Sequence, residues 1–188
     1  MSLKERHLST ADLRKETVIN SAMTLFAKTG YFGTTVADVA KGAGISSAYV
    51  FRLFPSKEEL FLAALDRCYT TIVNSVMAIA GVSQTRDSQA VLDAIGAMYA
   101  QLIGDSTLIM LQVQAQCVAT IPTIRTAVHQ GLKMAVEAIA QRSEADPAEI
   151  QRMMAYGQLC HLIVVAGLHK VDAKWANTLT QGMLHPEG

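Results

Sequence analysis

The chain has 188 residues, 51% of them hydrophobic and 17% charged, a balance that supports a buried core and excludes intrinsic disorder. Sixteen Lys/Arg balance sixteen Asp/Glu, so the whole chain is not polycationic, but the halves differ. Residues 1–57 hold eight basic residues (4, 6, 14, 15, 28, 41, 52, 57) against four acidic ones (5, 12, 16, 38), which is +4, and the remainder holds eight against twelve, which is −4. A local excess of this kind is what phosphate neutralisation needs.

Taken in chain order, the first helix is predicted from about Thr10 to Lys28, with Ile19, Ala22, Met23 and Phe26 inward and Gly30 just past its end. Thr35 caps a short second helix, Asp38 sits in its positive first turn, and Val36, Val39 and Ala40 form its apolar face. Gly44 lies in the turn that follows, and Ser46 caps a third helix across which Ile45 and Val50 make a hydrophobic staple. Val50, Leu53 and Phe54 are predicted inward, leaving Ser47, Ala48, Tyr49 and Arg52 outward. Two short helices held by a tight turn, with a small, polar, aromatic and basic outer face, form a helix-turn-helix suited to the DNA major groove.

Ser56 and Glu59 read as a capping box that opens helix four, which continues to about Ala80 on the stripe Phe61, Leu65, Cys68, Ile72, Val76 and Ile79. Lys57 stands in the first turn, where a cation opposes the helix dipole. A loop from Gly81 to Asp87 leads to helix five, ending near Ile103, and to a stretch from Asp105 to about Ala119. Within it Leu111 to Cys117 alternates like a strand, but a lone strand has no partner here, so helix is expected. Pro122 starts helix seven, which runs to about Ser143, and Asp146 and Pro147 start helix eight, apolar nearly all round from Met153 to Leu168. Asp172 is predicted to cap a last helix with the stripe Trp175, Ala176, Leu179 and Met183. The fold class is therefore all-α.

The stretches Ala22-Met23-Thr24-Leu25-Phe26, Gly30-Tyr31, Thr34 to Ala40, Ala43-Gly44-Ile45-Ser46 and Phe54-Pro55-Ser56-Lys57-Glu58-Glu59-Leu60 together resemble the TetR family of bacterial transcription regulators. The resemblance implies an N-terminal three-helix DNA-binding head, residues 1–55, and a larger antiparallel helical body for ligand binding and dimerisation, residues 56–188, with about nine helices. It also implies repression as the default sign of regulation, and for Lys57 a contact with a DNA phosphate. Two positions depart from the family pattern. Phe51 stands where the family usually has a Tyr whose hydroxyl meets a phosphate, a contact that Tyr49 can take over. Arg52 stands where the family often has His, which makes the charge there permanent.

The expected DNA-binding residues are Thr34, Thr35, Lys41, Ser46, Ser47, Ala48, Tyr49, Arg52 and Lys57. Helices eight and nine are the expected dimer surface, through Met154, Gly157, Val165, Trp175, Leu179 and Met183, because a head this small needs two half-sites. A pocket among helices four to eight is expected from Met77, Met98, Met110 and Met134, with polar contacts from Tyr69, Gln114, Gln158 and His161. The effector is then a small, largely apolar molecule that releases a homodimer from a palindromic double-stranded operator. No cofactor, metal site, enzymatic constellation or signal peptide is expected, and the longest apolar run, Leu159 to Leu168, is half a membrane span, which points to a cytoplasmic protein. Cys68, Cys117 and Cys160 read as free thiols of a reducing compartment. Two other readings stay open at this point: a helical interaction or small-molecule-binding protein without a DNA role, and a redox sensor using a buried cysteine.

Overall fold

The structure is a computed structural model, described for residues 10–79, 87–104 and 106–182. Ala80, the loop from 81 to 86, Asp105 and Met183 lie outside the described residues. Within them the chain forms nine α-helices and no strand: α1 Thr10–Gly33, α2 Val36–Gly42, α3 Ser47–Leu53, α4 Lys57–Met77, α5 Ser88–Leu102, α6 Thr107–Cys117, α7 Pro122–Ser143, α8 Pro147–Val165 and α9 Lys174–Thr180. A 3-10 turn, Leu168–Lys170, separates the last two.

The helix starts follow local chemistry. Thr35 and Asp38 form a reciprocal capping box at α2, Asp38 N donating to Thr35 Oγ1 at 3.1 Å and Thr35 N to Asp38 Oδ2 at 2.9 Å. Asp146 and Glu149 do the same at α8, both bonds at 2.8 Å. Ser46 and Ser56 cap α3 and α4 through the amides of Tyr49 and Glu59. At α4 the cap is one-sided: Glu59 N donates to Ser56 Oγ, but no reciprocal box forms. The stretch from Leu111 to Cys117 is helical, as the absence of a partner strand requires.

Three boundaries differ from expectation. The first helical run extends to Gly33 because a further turn follows Gly30, whose own φ of 73° and ψ of 174° break the helix between them. Helix eight stops at Val165, where Ala166 and then Gly167 at φ 64° turn the chain. Asp172 does not cap the last helix. Ala173 occupies the cap position without a side-chain bond, so α9 is only seven residues long.

Packing joins the first three helices to the rest. One buried cluster contains Val18, Phe26, Val39 and Val50 together with Leu60, Phe61 and Leu65 of α4, Leu111 of α6 and Ile124 of α7. Phe26 and Phe61 meet edge to face with centroids 4.9 Å apart. α1 lies along both α4 and α6. On the outside of this contact Arg67 of α4 forms a two-bond ion pair with Glu16 of α1, Nη2 to Oε1 at 2.6 Å. A second buried cluster, Val76, Val91, Leu92, Ile95, Ala138, Ile139 and Ile150, closes the far end of α4 against α5, α7 and α8.

α4 and α7 approach closely at one point. Gly131 is buried, and a Cβ there would overlap the ring carbons of Tyr69. The aromatic ring takes the place of a side chain on α7. Gly131→Ala is therefore expected to lower stability by about 1–3 kcal/mol through overpacking, although alanine has the better helix propensity. Urea denaturation of the two proteins checks this, and a gain in stability would show that the ring is not held against the backbone.

Candidate nucleic-acid interface and body cavity

The outer face of α3 is built from its cap forward. Ser46, Ala48, Phe51 and Arg52 are exposed, Ser47 and Tyr49 are half-buried, and Val50 is buried beneath them. The Arg52 guanidinium lies 4.6 Å from the centroid of the Tyr49 ring, and Arg14 of α1 lies 5.6 Å from it. A hydrogen bond from Arg14, and a second from Arg52, hold the Tyr49 phenol below its usual range. Lys15 covers Phe54 at 5.7 Å. Arg14 of α1 and Arg52 of α3 thus meet at one aromatic ring, and Lys15 and Lys41 are exposed as well. Sequence spacing gives no signal for the approach of Arg14 to Tyr49, because the two residues stand on different helices.

Two residues expected at this face do other work. Thr34 is only 1% exposed, and its hydroxyl bonds to the Gly30 carbonyl at 2.8 Å and to the Thr29 hydroxyl at 2.7 Å. It ties off the break after α1 and is not presented outward. Lys57 is half-buried. Its Nζ donates to the carbonyls of Tyr31 at 3.0 Å and Thr34 at 3.3 Å and lies 4.7 Å from the Tyr31 ring centroid. The cation opposes the dipole of its own helix because it is committed to carbonyls at the end of α1. Thr35 is exposed, but its hydroxyl donates to Asp38 at 2.6 Å.

The body contains a cavity between α4, α5, α7 and α8, with about 570 Å³ of empty space including its open mouth. Its apolar wall includes Ile72, Val76, Ile95, Leu132, Ile139 and Met153. Its polar groups are Tyr69, Tyr99, Gln112, Gln158 and His161, and among the described residues no Asp, Glu, Lys or Arg lines it. Tyr99 Oη and His161 Nε2 are 2.8 Å apart. Gln112 Nε2 donates to the Leu108 carbonyl at 3.2 Å and, at 3.5 Å, to Tyr99 Oη. Burial pushes the Tyr69 hydroxyl up, the Tyr99 hydroxyl up to about 12, and His161 down to about 4, so all three are neutral at pH 7.

Of the expected pocket residues, Tyr69, Gln158 and His161 line this cavity. Met134 instead lines a second, more open cleft with Leu62, Asp66 and Gln130, which shares the Tyr69 wall. Met77 is exposed at the end of α4, Met98 packs against the second buried cluster and Met110 against the first. Gln114 is not in the cavity either. Its amide fills the space beside Gly30, where α6 meets α1. Helical spacing placed these side chains inward without saying which neighbour each would meet. Met154 and Gly157, expected at a subunit contact, face the cavity. Of the other expected contact residues, Val165 and Trp175 are exposed and Leu179 is half-buried. Tyr156 and Leu162 of α8 are also exposed, and Trp175 is 58% exposed.

Cys68 and Cys160 are buried, and burial raises both thiols, Cys68 to about 12, which makes them poor redox sensors. Cys117 is exposed. Among the described residues no cluster of three or more His, Cys, Asp or Glu gathers for a metal. No single helix among them is long and apolar enough to cross a membrane.

Residues 18–64 match the family described as "Bacterial regulatory proteins, tetR family". The IcaR negative transcriptional regulator of the icaADBC biofilm operon from Staphylococcus aureus is 35% identical over 63 residues, which are 34% of this chain and 34% of that protein. The match thus spans about a third of the length of these curated relatives. In three dimensions the chain is similar to the transcriptional regulator FadR from Bacillus subtilis in complex with stearoyl-CoA, with a TM-score of 0.69, 15% identity and coverage of 93% of this chain and 100% of that one. It is also similar to a transcriptional regulator from Saccharomonospora viridis in complex with choline, with a TM-score of 0.69, 18% identity and coverage of 92% and 93%. At such identities the structural likeness establishes the fold.

The buried His161 has a measurable consequence. Its folded pKa of about 4 lies below the ordinary 6.5, so the unfolded state binds more protons between these values. Stability contributed by the neutral ring is complete above pH 6.5 and is lost as pH falls toward 4. The loss expected is on the order of 3 kcal/mol, from a shift of this size. His161→Gln should flatten this part of the curve, as read by urea denaturation at a series of pH values. An identical slope in the variant would assign the acid sensitivity elsewhere.

Proposed function

We propose that the chain, whose residues 18–64 match the tetR family of bacterial regulatory proteins, is a repressor of that type that binds a palindromic operator as a homodimer and is released by a small, largely apolar effector. The observation that carries the DNA-binding part is the Arg14–Tyr49–Arg52 stack on the outer face of α3. Stacking holds two guanidinium groups in place before DNA arrives, which lowers the ordering cost of phosphate or guanine contacts. Ser46, Ser47 and Ala48 stand at the start of the same short helix, and Thr35 and Lys41 are exposed at α2. In this reading α3 enters the major groove and Arg14, Lys15 and Lys41 meet the backbone. The setting is the cytoplasm, where operator DNA lies.

The functional division falls near residue 55, with the reading head before it and the sensing and pairing body after it. α4 connects them. Lys57 at one end is clamped to the α1–α2 junction, and Tyr69, Ile72 and Val76 further along line the cavity. Twelve residues of helix place Tyr69 about 18 Å from Lys57. An effector that alters the packing of α4 in the cavity thereby tilts the head. Two recognition helices read one face of DNA only when about 34–36 Å apart, so a ligand that favours another spacing releases the operator. The exposed apolar side chains Tyr156, Leu162, Val165 and Trp175 are the proposed subunit contact.

Selection of bound sequences from a random duplex pool tests the reading and yields the operator; recovery of no enriched sequence at low salt refutes it. With that operator, Tyr49→Ala, Arg52→Ala and Arg14→Ala are each expected to weaken binding by about 1–3 kcal/mol in a mobility-shift assay while Tm barely moves. Unchanged affinity in all three would remove this face from the interface. Light scattering is expected to report a dimer for the native chain and a monomer for Val165→Glu. Circular dichroism should show the same helix content in both, because Val165 is exposed within the protomer.

A further inference from the structure

Two polar atoms in the body cavity are buried without a hydrogen-bond partner among the described residues, the Tyr69 hydroxyl and His161 Nδ1. Tyr69 is 2% exposed and His161 4%, and both line the cavity. Leaving such groups unpaired destabilises a folded chain, so their persistence points to a ligand that pairs them.

The surrounding bonds decide what that ligand must offer. The Leu108 carbonyl only accepts, so the Gln112 atom facing it is the amide nitrogen. The other hydrogen of that nitrogen is directed to the Tyr99 oxygen. That nitrogen can only donate, so among the hydrogen-bonded neighbours of Tyr99 described here His161 Nε2 is the one able to accept the hydroxyl hydrogen, and this direction leaves the Tyr99 donor paired. A neutral imidazole that accepts at Nε2 carries its proton on Nδ1. The unpartnered ring atom is therefore an N–H donor. The Tyr69 hydroxyl is a second donor.

Two buried donors call for an acceptor oxygen. Among the described residues no Lys or Arg lines the cavity to neutralise a carboxylate or a phosphate, and an unneutralised charge in this apolar wall is disfavoured. We propose that the cavity takes an uncharged, apolar carbonyl compound whose oxygen accepts hydrogen bonds from the Tyr69 hydroxyl and His161 Nδ1–H. This rests on the effector reading above and names the chemical class of that effector. Tyr69 stands on α4 with its ring against Gly131, so the oxygen engages the helix that holds the head.

Calorimetric titration of the full chain at neutral pH with 2-nonanone and with nonanoate tests the class. The ketone is expected to bind at least tenfold more tightly than the carboxylate. Tyr69→Phe keeps the ring on Gly131 and is expected to weaken ketone binding roughly three- to tenfold, the range for one hydrogen bond between neutral groups. The same variant should raise the Tm of the unliganded protein, because a buried hydroxyl without a partner is removed. Nitrogen-15 spectra of the imidazole should place the ring proton of His161 on Nδ1. Equal or tighter binding of nonanoate, no ketone binding up to its solubility, or unchanged affinity in Tyr69→Phe would each overturn the proposal. So would a lowered Tm in that variant or a ring proton on Nε2. A mobility-shift assay on the same preparation separates the two levels. DNA binding without ketone binding overturns this inference alone, and ketone binding without DNA binding overturns the regulator reading while the cavity chemistry stands.

Discussion

The ammonium of Lys57 donates to the carbonyls of Tyr31 and Thr34 and ties the start of α4 to the junction between α1 and α2. Those carbonyls belong to the broken end of α1, where the chain turns at Gly30 and again before α2. Carbonyls at such an end have no continuing helix to bond with, and a cation is the natural partner. The same contact fixes the start of α4 against the end of α1. Thr34 completes the junction from inside, its hydroxyl closing the turn on Gly30. The outer face of α3 is carried on this junction, through the cluster shared by Val39, Val50 and Phe61.

From that fixed end α4 runs into the body and becomes a wall of the cavity. Its packing is tight where Tyr69 lies on Gly131 and greasy at Ile72 and Val76. Into this wall are set a few neutral polar groups, whose titration is pushed away from neutrality by burial. A helix held at one end by a charge contact and at the other by a cavity suits the transmission proposed for it, since a packed helix moves as a unit. The net charge follows the same division. The excess of cations lies at the end with α3, where the proposed partner is a polyanion, and among the described residues the cavity lining carries no charge.

The all-α class, the helix-turn-helix and most helix starts were legible in the sequence because local chemistry decides them. A hydroxyl or carboxylate at a cap, a proline in a first turn and an apolar stripe at steps of three and four act over a few residues and need no distant partner. The outward side of α3 was legible for the same reason. The sequence-derived expectations failed where the answer depended on which surface a side chain met. Thr34 and Lys57 sit beside the reading head in sequence, but the fold uses them to close the α1–α4 junction. Gln114 and Met110 face inward on α6, but that side meets α1, not the cavity. Asp172 is a good capping residue two positions from α9, and the turn after Gly167 leaves it out of register.

Short-range chemistry therefore sets the helices, their local caps and the face of α3 turned away from the core. Long-range packing sets the rest: Arg14 of α1 lies against Tyr49 of α3, Tyr99, Gln112 and His161 form one hydrogen-bonded chain, and Tyr69 rests on Gly131. Each of these pairs residues from different helices, up to 62 positions apart for Tyr99 and His161. Their meeting depends on how helices cross, which is set by the collective packing of the buried side chains and not by any short stretch of chain.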